Sequence, residues 1–152
     1  MKNNNDDITK ILAERDKIDK ILKSKFSKKV SIMFTDIKGS TAMYEASGDI
    51  DGRMMVHRHN EIVMPILEEY SGELLKTIGD ATMTVFNDPL HAVQAASSIQ
   101  QALKEYNSDR QEREQIHVRI GINYGSVIVD KGDVFGDVVN VASRVESLAK
   151  AN

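Results

Sequence analysis

An α+β sandwich of ferredoxin-like topology, with helices packed on one face of the sheet and one further helix in front, is the fold this sequence predicts. Three observations carry that expectation. Short apolar runs rich in β-branched residues alternate with longer amphipathic segments. Two of the runs flank Gly79-Asp80, a turn-forming pair that favours positive backbone torsions, so residues 74–86 read as strand, tight turn, strand. The chain then orders as β-α-α-β-β-α-β-(β)-α, with helices interleaved around an antiparallel hairpin.

Bulk properties narrow the class. With 152 residues, 41% apolar and 28% charged, the chain is long enough for one domain with its own core and is not a disordered sequence. A net charge of −3 argues against a general nucleic-acid binder, which needs a basic excess to neutralise phosphates. The absence of cysteine excludes disulfides and thiolate metal sites. No apolar stretch approaches the about 20 residues needed to span a bilayer. A cytoplasmic protein without membrane insertion is expected.

Met1-Lys2-Asn3-Asn4-Asn5-Asp6-Asp7 is polar, lacks the apolar run of a signal peptide, and reads as a frayed tail. A helix follows over about 8–26. Ile8, Ile11, Leu12, Ile18, Ile21 and Leu22 fall on one stripe, which fits either a helix docked on its own domain or a short coiled-coil seam. Residues 1–27 are thus a tail and linker helix, and residues 28–152 form the domain.

The first strand is expected over 30–35 and ends on Asp36. Ser40 or Thr41 can cap the helix after it, either as a plain N-cap or as a helix start whose free N–H groups attract phosphate. Gly48-Asp49-Ile50-Asp51-Gly52 reads as a loop, without the alternating acids and terminal Glu of a calcium loop. A helix over 53–70 presents Met54 or Met55, Ile62, Ile66 and Leu67, with Pro65 a candidate kink. His57 and His59 lie two apart and point in different directions on a helix, so solvated or capping roles are expected rather than metal ligation.

Beyond the hairpin, Asn87-Asp88-Pro89 starts a helix over 90–106 whose inward stripe is Ala92, Val93, Ala96, Ile99 and Leu103. Residues 107–115 form a polar loop. Residues 117–124 alternate as a strand, with Val118, Ile120 and Ile122 on one face and His117, Arg119, Gly121 and Asn123 on the other. Gly125 turns it, Val127-Ile128-Val129 continues, and 130–136 is a short loop. The last helix begins near Asp137 and carries Val138, Val141, Ala142, Val145 and Leu148.

Chemistry enters through two acids. Asp36 ends the first strand and Asp80 sits in the hairpin turn. If the strands lie side by side, two carboxylates meet beside backbone carbonyls, a hard oxygen-only site suited to magnesium or manganese.

Three segments in order carry a resemblance. Phe34-Thr35-Asp36-Ile37-Lys38-Gly39-Ser40-Thr41, then Lys76-Thr77-Ile78-Gly79-Asp80, then Phe135-Gly136-Asp137-Val138-Val139-Asn140-Val141-Ala142-Ser143-Arg144 resemble the class III nucleotidyl cyclase catalytic domain, the adenylyl and guanylyl cyclase family. The resemblance covers residues 28–152 and implies the sandwich fold of that domain. It also implies that Asp36 and Asp80 hold two Mg2+ or Mn2+ ions, with the Ile37 carbonyl assisting, one ion activating the ribose 3′-hydroxyl and the other holding the triphosphate. Lys76 and Asp133 resemble the base-reading pair. A lysine can donate to adenine N1 and a carboxylate can accept from the 6-amino group, which favours ATP over GTP. Asn140 resembles the residue that orients the ribose. Arg144, four residues on and on the same helical face, resembles the arginine that stabilises charge on the α-phosphate.

The implied activity is an adenylyl cyclase of intracellular signalling, making 3′,5′-cyclic AMP and pyrophosphate from ATP. In the family the site lies between two subunits. A chain carrying both residue sets implies a head-to-tail homodimer. Ordinary alternatives stand beside these roles: Lys76 and Asp133 as solvated charges, and Arg144 paired with Glu146 or covering apolar surface with its stem. Family domains also continue through two more strands bearing a lysine that grips the triphosphate. The sequence stops at Asn152, and Lys150 is too near the helix end to replace that lysine. A catalytically deficient nucleotide-binding or regulatory module is therefore the alternative. A diguanylate cyclase is set aside, because no Gly-Gly-acid-Glu-Phe hairpin is present.

Overall fold

The computed structural model describes residues 3–151, with side chains from residue 7 onward. The elements are α1 (Asn3–Phe26), β1 (Ser27–Ile37), α2 (Ser40–Glu69), β2 (Glu73–Ile78), β3 (Ala81–Phe86), α3 (Pro89–Asn107), a 3-10 turn (Glu112–Glu114), β4 (Val118–Asp130), β5 (Asp133–Phe135) and α4 (Asp137–Leu148). The strands form one sheet in the order β2-β3-β1-β4-β5, and every neighbouring pair is antiparallel. The first four strands have the ferredoxin-like order that the sequence predicts, and β5 is appended at the β4 edge.

Helices cover both faces, not one. Strand β1 is central, so its alternate residues feed two cores. Met33 and Ile37 join Val63 and Leu67 of α2 and Ala92, Ala95, Ile99 and Leu103 of α3. Val30, Ile32 and Phe34 join Met83, Val127 and Val134 under Ala142 of α4. The sequence gives no sign that α4 crosses to the opposite face.

Several boundaries differ from expectation. The acidic start is helical from Asn3, while residues 1 and 2 lie outside the described residues. All six stripe residues of α1 are exposed, so the stripe is not buried against its own domain, although the helix approaches β1 and β4. Gly39, not Ser40 or Thr41, is the N-cap of α2, at φ 75° and without a side-chain cap. Residues 48–52 are not a free loop. They lie within α2, and the break falls at Gly48 (φ 85°) rather than at Pro65. On α3, Asp88 caps by accepting from the Leu90 N–H at 2.8 Å. Ala95 is buried in place of Val93, which faces outward.

Strand β4 runs through Gly125 without turning. Its glycines serve the helix above them. A Cβ on Gly125 would meet Val138 Cγ2 at 2.6 Å, and one on Gly121 would meet the backbone of Glu146. Residues 133–135, expected as loop, form β5 against the end of β4. On α4, Val145 and Leu148 face outward, and the buried positions are Ala142 and Glu146.

Candidate functional site

Pairing Thr35 with Thr82 across β1 and β3 places the Gly79-Asp80 turn beside the Asp36 end of β1. The two threonine hydroxyls are 2.6 Å apart in the buried interface and fasten that end. On the other flank Asp36 lies directly opposite Arg119 of β4. Directly opposed residues share a face of the sheet. Arg119 Nη2 donates to Asp36 Oδ2 at 2.7 Å.

Glu146 completes this cluster from α4. Its Oε1 lies 3.2 Å from Arg119 Nε, within ion-pair range, yet neither atom makes a hydrogen bond. The guanidinium is drawn toward Asp36, and its Nε–H misses the Glu146 oxygen. Burial pushes the Glu146 carboxyl above the ordinary carboxylate range. The negative charge of Asp36 adds to that, Arg119 offsets part of it, and Asp80 adds a little more. The hydrogen bond to Asp36 raises the Arg119 guanidinium further above its already high value.

The donor set fits a hard divalent cation. Asp80 Oδ2 is buried with no hydrogen-bond partner, an orphaned anionic oxygen that favours a positive ligand. Among the described residues no group of three or more His, Cys, Asp or Glu side chains could hold a metal by itself. Asp36 and Asp80 could supply the one or two carboxylates that magnesium commonly takes alongside substrate phosphates. Ile37 follows Asp36 with its side chain buried in the core, so only its carbonyl is available to such a site.

The second pair forms inside the chain. Lys76 Nζ lies 3.2 and 3.0 Å from the two carboxylate oxygens of Asp133. A bulge between Leu74 and Lys76 shifts the register of β2 against β3, and such a bulge re-aims the side chains that follow it. Leu75 packs into the core that contains Val134. The hydrogen bond from Lys76 holds the Asp133 carboxyl below its ordinary value, and the Val134 N–H, donating at 2.9 Å, acts in the same direction.

The remaining two residues stand apart from both pairs in their contacts. Asn140 is exposed on α4. Arg144 is 70% exposed and lies 3.7 Å from Asp137 on its own helix, not against Glu146. Of the seven predicted residues, the structure brings Lys76 to Asp133 and sets Asp36 beside the Asp80 turn, and it leaves Asn140 and Arg144 facing outward.

Sequence reasoning missed Arg119 and Glu146. Alternation along residues 117–124 already set Arg119 on the face opposite Val118 and Ile120. What it could not supply was the β1–β4 register that puts Arg119 across from Asp36. Glu146 follows Val145, which reads as inward, and the sequence offers it only as a partner for Arg144.

Comparison with known proteins agrees with this architecture. Residues 22–152 match the family model of the adenylate and guanylate cyclase catalytic domain. A putative adenylate cyclase 3 from Rhizobium meliloti (strain 1021) is 33% identical over 119 residues, covering 78% of this chain and 20% of that protein. An adenylate cyclase from Anabaena cylindrica is 34% identical over 140 residues, covering 82% of this chain and 28% of that one. This chain therefore spans under a third of the length of these curated relatives. Among solved structures, an adenylate/guanylate cyclase/hydrolase from Silicibacter pomeroyi superposes with a TM-score of 0.70 at 31% identity, covering 82% of this chain and 72% of that one. A non-canonical dimeric guanylyl cyclase domain from the aquatic fungus Blastocladiella emersonii gives 0.69 at 28% identity, covering 82% and 76%. Among the described residues no helix is long and apolar enough to cross a membrane. With the match running from the end of α1 to the last residue, this chain belongs to the adenylate and guanylate cyclase catalytic-domain family.

Proposed function

We propose that this chain is a metal-dependent adenylyl cyclase domain that converts ATP to 3′,5′-cyclic AMP and pyrophosphate as a head-to-tail homodimer in the cytoplasm. The observation that carries the reading is the orphaned, buried Oδ2 of Asp80 next to the Asp36 end of β1. Bound there, two magnesium or manganese ions would lower the pKa of the ribose 3′-hydroxyl and neutralise charge on the departing pyrophosphate.

The chain's own residues account for the rest. The ribose 3′-hydroxyl releases its proton to solvent, its oxygen attacks the α-phosphorus, the bond from that phosphorus to the bridging oxygen breaks, and pyrophosphate leaves. Asp36 and Asp80 supply the anionic oxygens of the cation site. Arg119, already beside Asp36, offers N–H donors to the polyphosphate. Lys76 and Asp133 present one donor and one acceptor side by side, which complements adenine N1 and its 6-amino group. Guanine presents the opposite pattern on that edge. Asn140 orients the ribose, and the exposed guanidinium of Arg144 reaches the α-phosphate at a partner's aspartates. Names of the relatives support the ATP reading, and the dimeric fungal domain supports assembly in pairs.

The test is cyclic nucleotide production by the purified chain with manganese and ATP or GTP, beside Asp36→Ala. Cyclic AMP that vanishes in the variant is the expected result. A folded, dimeric chain that makes none overturns the reading.

A further inference from the structure

We infer that Glu146 is a positioning residue, the fixed anchor that holds the Arg119 guanidinium at the cation and polyphosphate site once Asp36 is engaged elsewhere. This rests on the function proposed above.

The argument begins with an oddity of α4. Val138 and Ala142 pack toward the sheet, yet the next residue buried after Ala142 is not the apolar Val145, which faces outward, but a glutamate. Burying a carboxylate is costly unless a cation is close. The cation here is Arg119, whose Nε is 3.2 Å from Glu146 Oε1. The backbone fixes that approach. Gly121, two residues along β4 from Arg119, has no side chain, and a Cβ there would lie 2.5 Å from Glu146 Cα. Strand and helix are therefore in direct contact at this point, and the Glu146 backbone cannot move away from β4 unless α4 moves as a body.

The two carboxylates on Arg119 differ in kind. Asp36 takes Nη2 at 2.7 Å from the more open side, and its side chain is 23% exposed, against 10% for Glu146. A cation at Asp36 competes with the guanidinium for the same oxygens. Glu146 sits on the buried side, away from that competition. When Asp36 turns to a cation, the guanidinium is released to turn its Nε–H onto Glu146 Oε1, 3.2 Å away, and its Nη groups are left free to donate to phosphate oxygens. A guanidinium anchored at one end loses less freedom when it binds, so the anchor raises affinity for polyphosphate without touching it.

The experiment uses the full chain and two readouts. The first is the Arg119 Nε–H signal in nitrogen-proton spectra, assigned by its loss in Arg119→Lys, with its exchange rate with water. The second is affinity for magnesium tripolyphosphate by calorimetry. With magnesium present, Glu146→Gln should speed Nε–H exchange at least tenfold and weaken tripolyphosphate about tenfold. Adding Arg119→Lys should then cost little more, since the two residues act as a unit. Glu146→Leu, which relieves the buried charge and keeps the fold, should reproduce both effects. In turnover, the loss should fall on KM more than on kcat. Unchanged exchange and unchanged tripolyphosphate affinity in both variants overturn the inference, even if the parent chain makes cyclic AMP. Faster exchange in a chain whose parent does not bind tripolyphosphate sustains the anchor and overturns the cyclase reading instead.

Discussion

Lys76 and Asp133 form a two-pronged contact at 3.0 and 3.2 Å although their strands, β2 and β5, are the two ends of the sheet order. The sheet curls until its edges face each other, and Leu75 and Val134 fill the gap beneath them. The base-reading pair proposed here is therefore assembled within one chain before nucleotide arrives. Both side chains are more than a third exposed, so the contact adds little stability and leaves the pair free to serve a ligand.

Reversing the pair should reverse the preferred base. The double variant Lys76→Glu/Asp133→Lys retains an ion pair but exchanges donor and acceptor. Guanine N1–H then meets a carboxylate, and its O6 meets an ammonium. A hydrogen bond to a charged group contributes about 1.5–3 kcal/mol, so the ATP-to-GTP ratio of kcat/KM should move by roughly 10- to 100-fold toward GTP. Competition between the two nucleotides checks this. An unchanged ratio would show that Lys76 and Asp133 do not read the base.

Removing the orphaned oxygen should separate metal binding from stability. In Asp80→Asn the carboxylate whose Oδ2 lacks a partner becomes neutral. The charges of Asp36 and Asp80 both disfavour the ionised form of Glu146, so neutralising Asp80 relieves part of that repulsion. Manganese affinity should fall at least tenfold, while the melting temperature holds or rises. Titration followed by manganese resonance, beside a thermal melt, reads both. A lower melting temperature with manganese affinity intact would make Asp80 a structural turn residue.

Much of this could be seen in the sequence because it depended on local pattern. The hairpin around Gly79-Asp80 and the capped start of α3 follow from adjacent residues, and the interleaved order of strands and helices follows from periodicity. The misses came from tertiary register. Gly125 looked like a turn because a lone sequence does not show that Val138 needs its space. Residues 48–52 looked like a loop because their glycines are poor helix formers, yet α2 absorbs them with one break at Gly48. Arg119 belongs to the site only through its pairing with Asp36, 83 residues away.

Helix α1 offers the next test. Ile11, Ile18 and Leu22 are exposed, at 64%, 57% and 38%, on a face that its own domain leaves largely uncovered. With Ile8 and Arg15 they fall at heptad spacing, the pattern of a two-helix seam. Replacing the three with glutamine should weaken self-association about tenfold or more in sedimentation. Cyclase activity should fall in parallel if sites form between chains. An unchanged mass would remove α1 from the interface.

His59 predicts a pH dependence of stability. It is fully buried, with Nδ1 2.9 Å from Asn60 Oδ1 and Nε2 without a partner. Burial holds its pKa below the ordinary 6.5, and the Asn60 contact and the charges of Asp80 and Asp36 only partly restore it. Below about pH 6.5 the unfolded chain therefore takes up a proton that the folded chain refuses. Stability from this group is complete above that value and declines as pH falls toward the folded pKa, by at most about 1.4 kcal/mol per pH unit. Urea unfolding at pH 7.5, 6.5 and 5.5 should show the decline, and His59→Leu should flatten it. An identical slope in the variant would assign the effect to other groups.

Two glycines should respond to alanine in opposite measure. At Gly79 the torsion is positive (φ 64°) but the space is open, so Gly79→Ala carries only local backbone strain, of order 1–2 kcal/mol. At Gly121 a methyl would meet the backbone of Glu146, and neither strand nor helix backbone can swing aside as a side chain would. Helix α4 must shift as a body. Overpacking of that kind costs typically about 1–3 kcal/mol, a fall of roughly 2–10 °C in melting temperature for a domain of this size. The shift also carries Glu146 away from Arg119 and turns Asn140 and Arg144 relative to the sheet. Gly121→Ala should therefore lose far more activity than its stability loss explains at an assay temperature where it remains folded, whereas Gly79→Ala should lose activity only through the placement of Asp80. Comparing the two by thermal melt and by kcat checks the claim that α4 is seated on β4 by backbone contact, and equal losses in both variants would refute it.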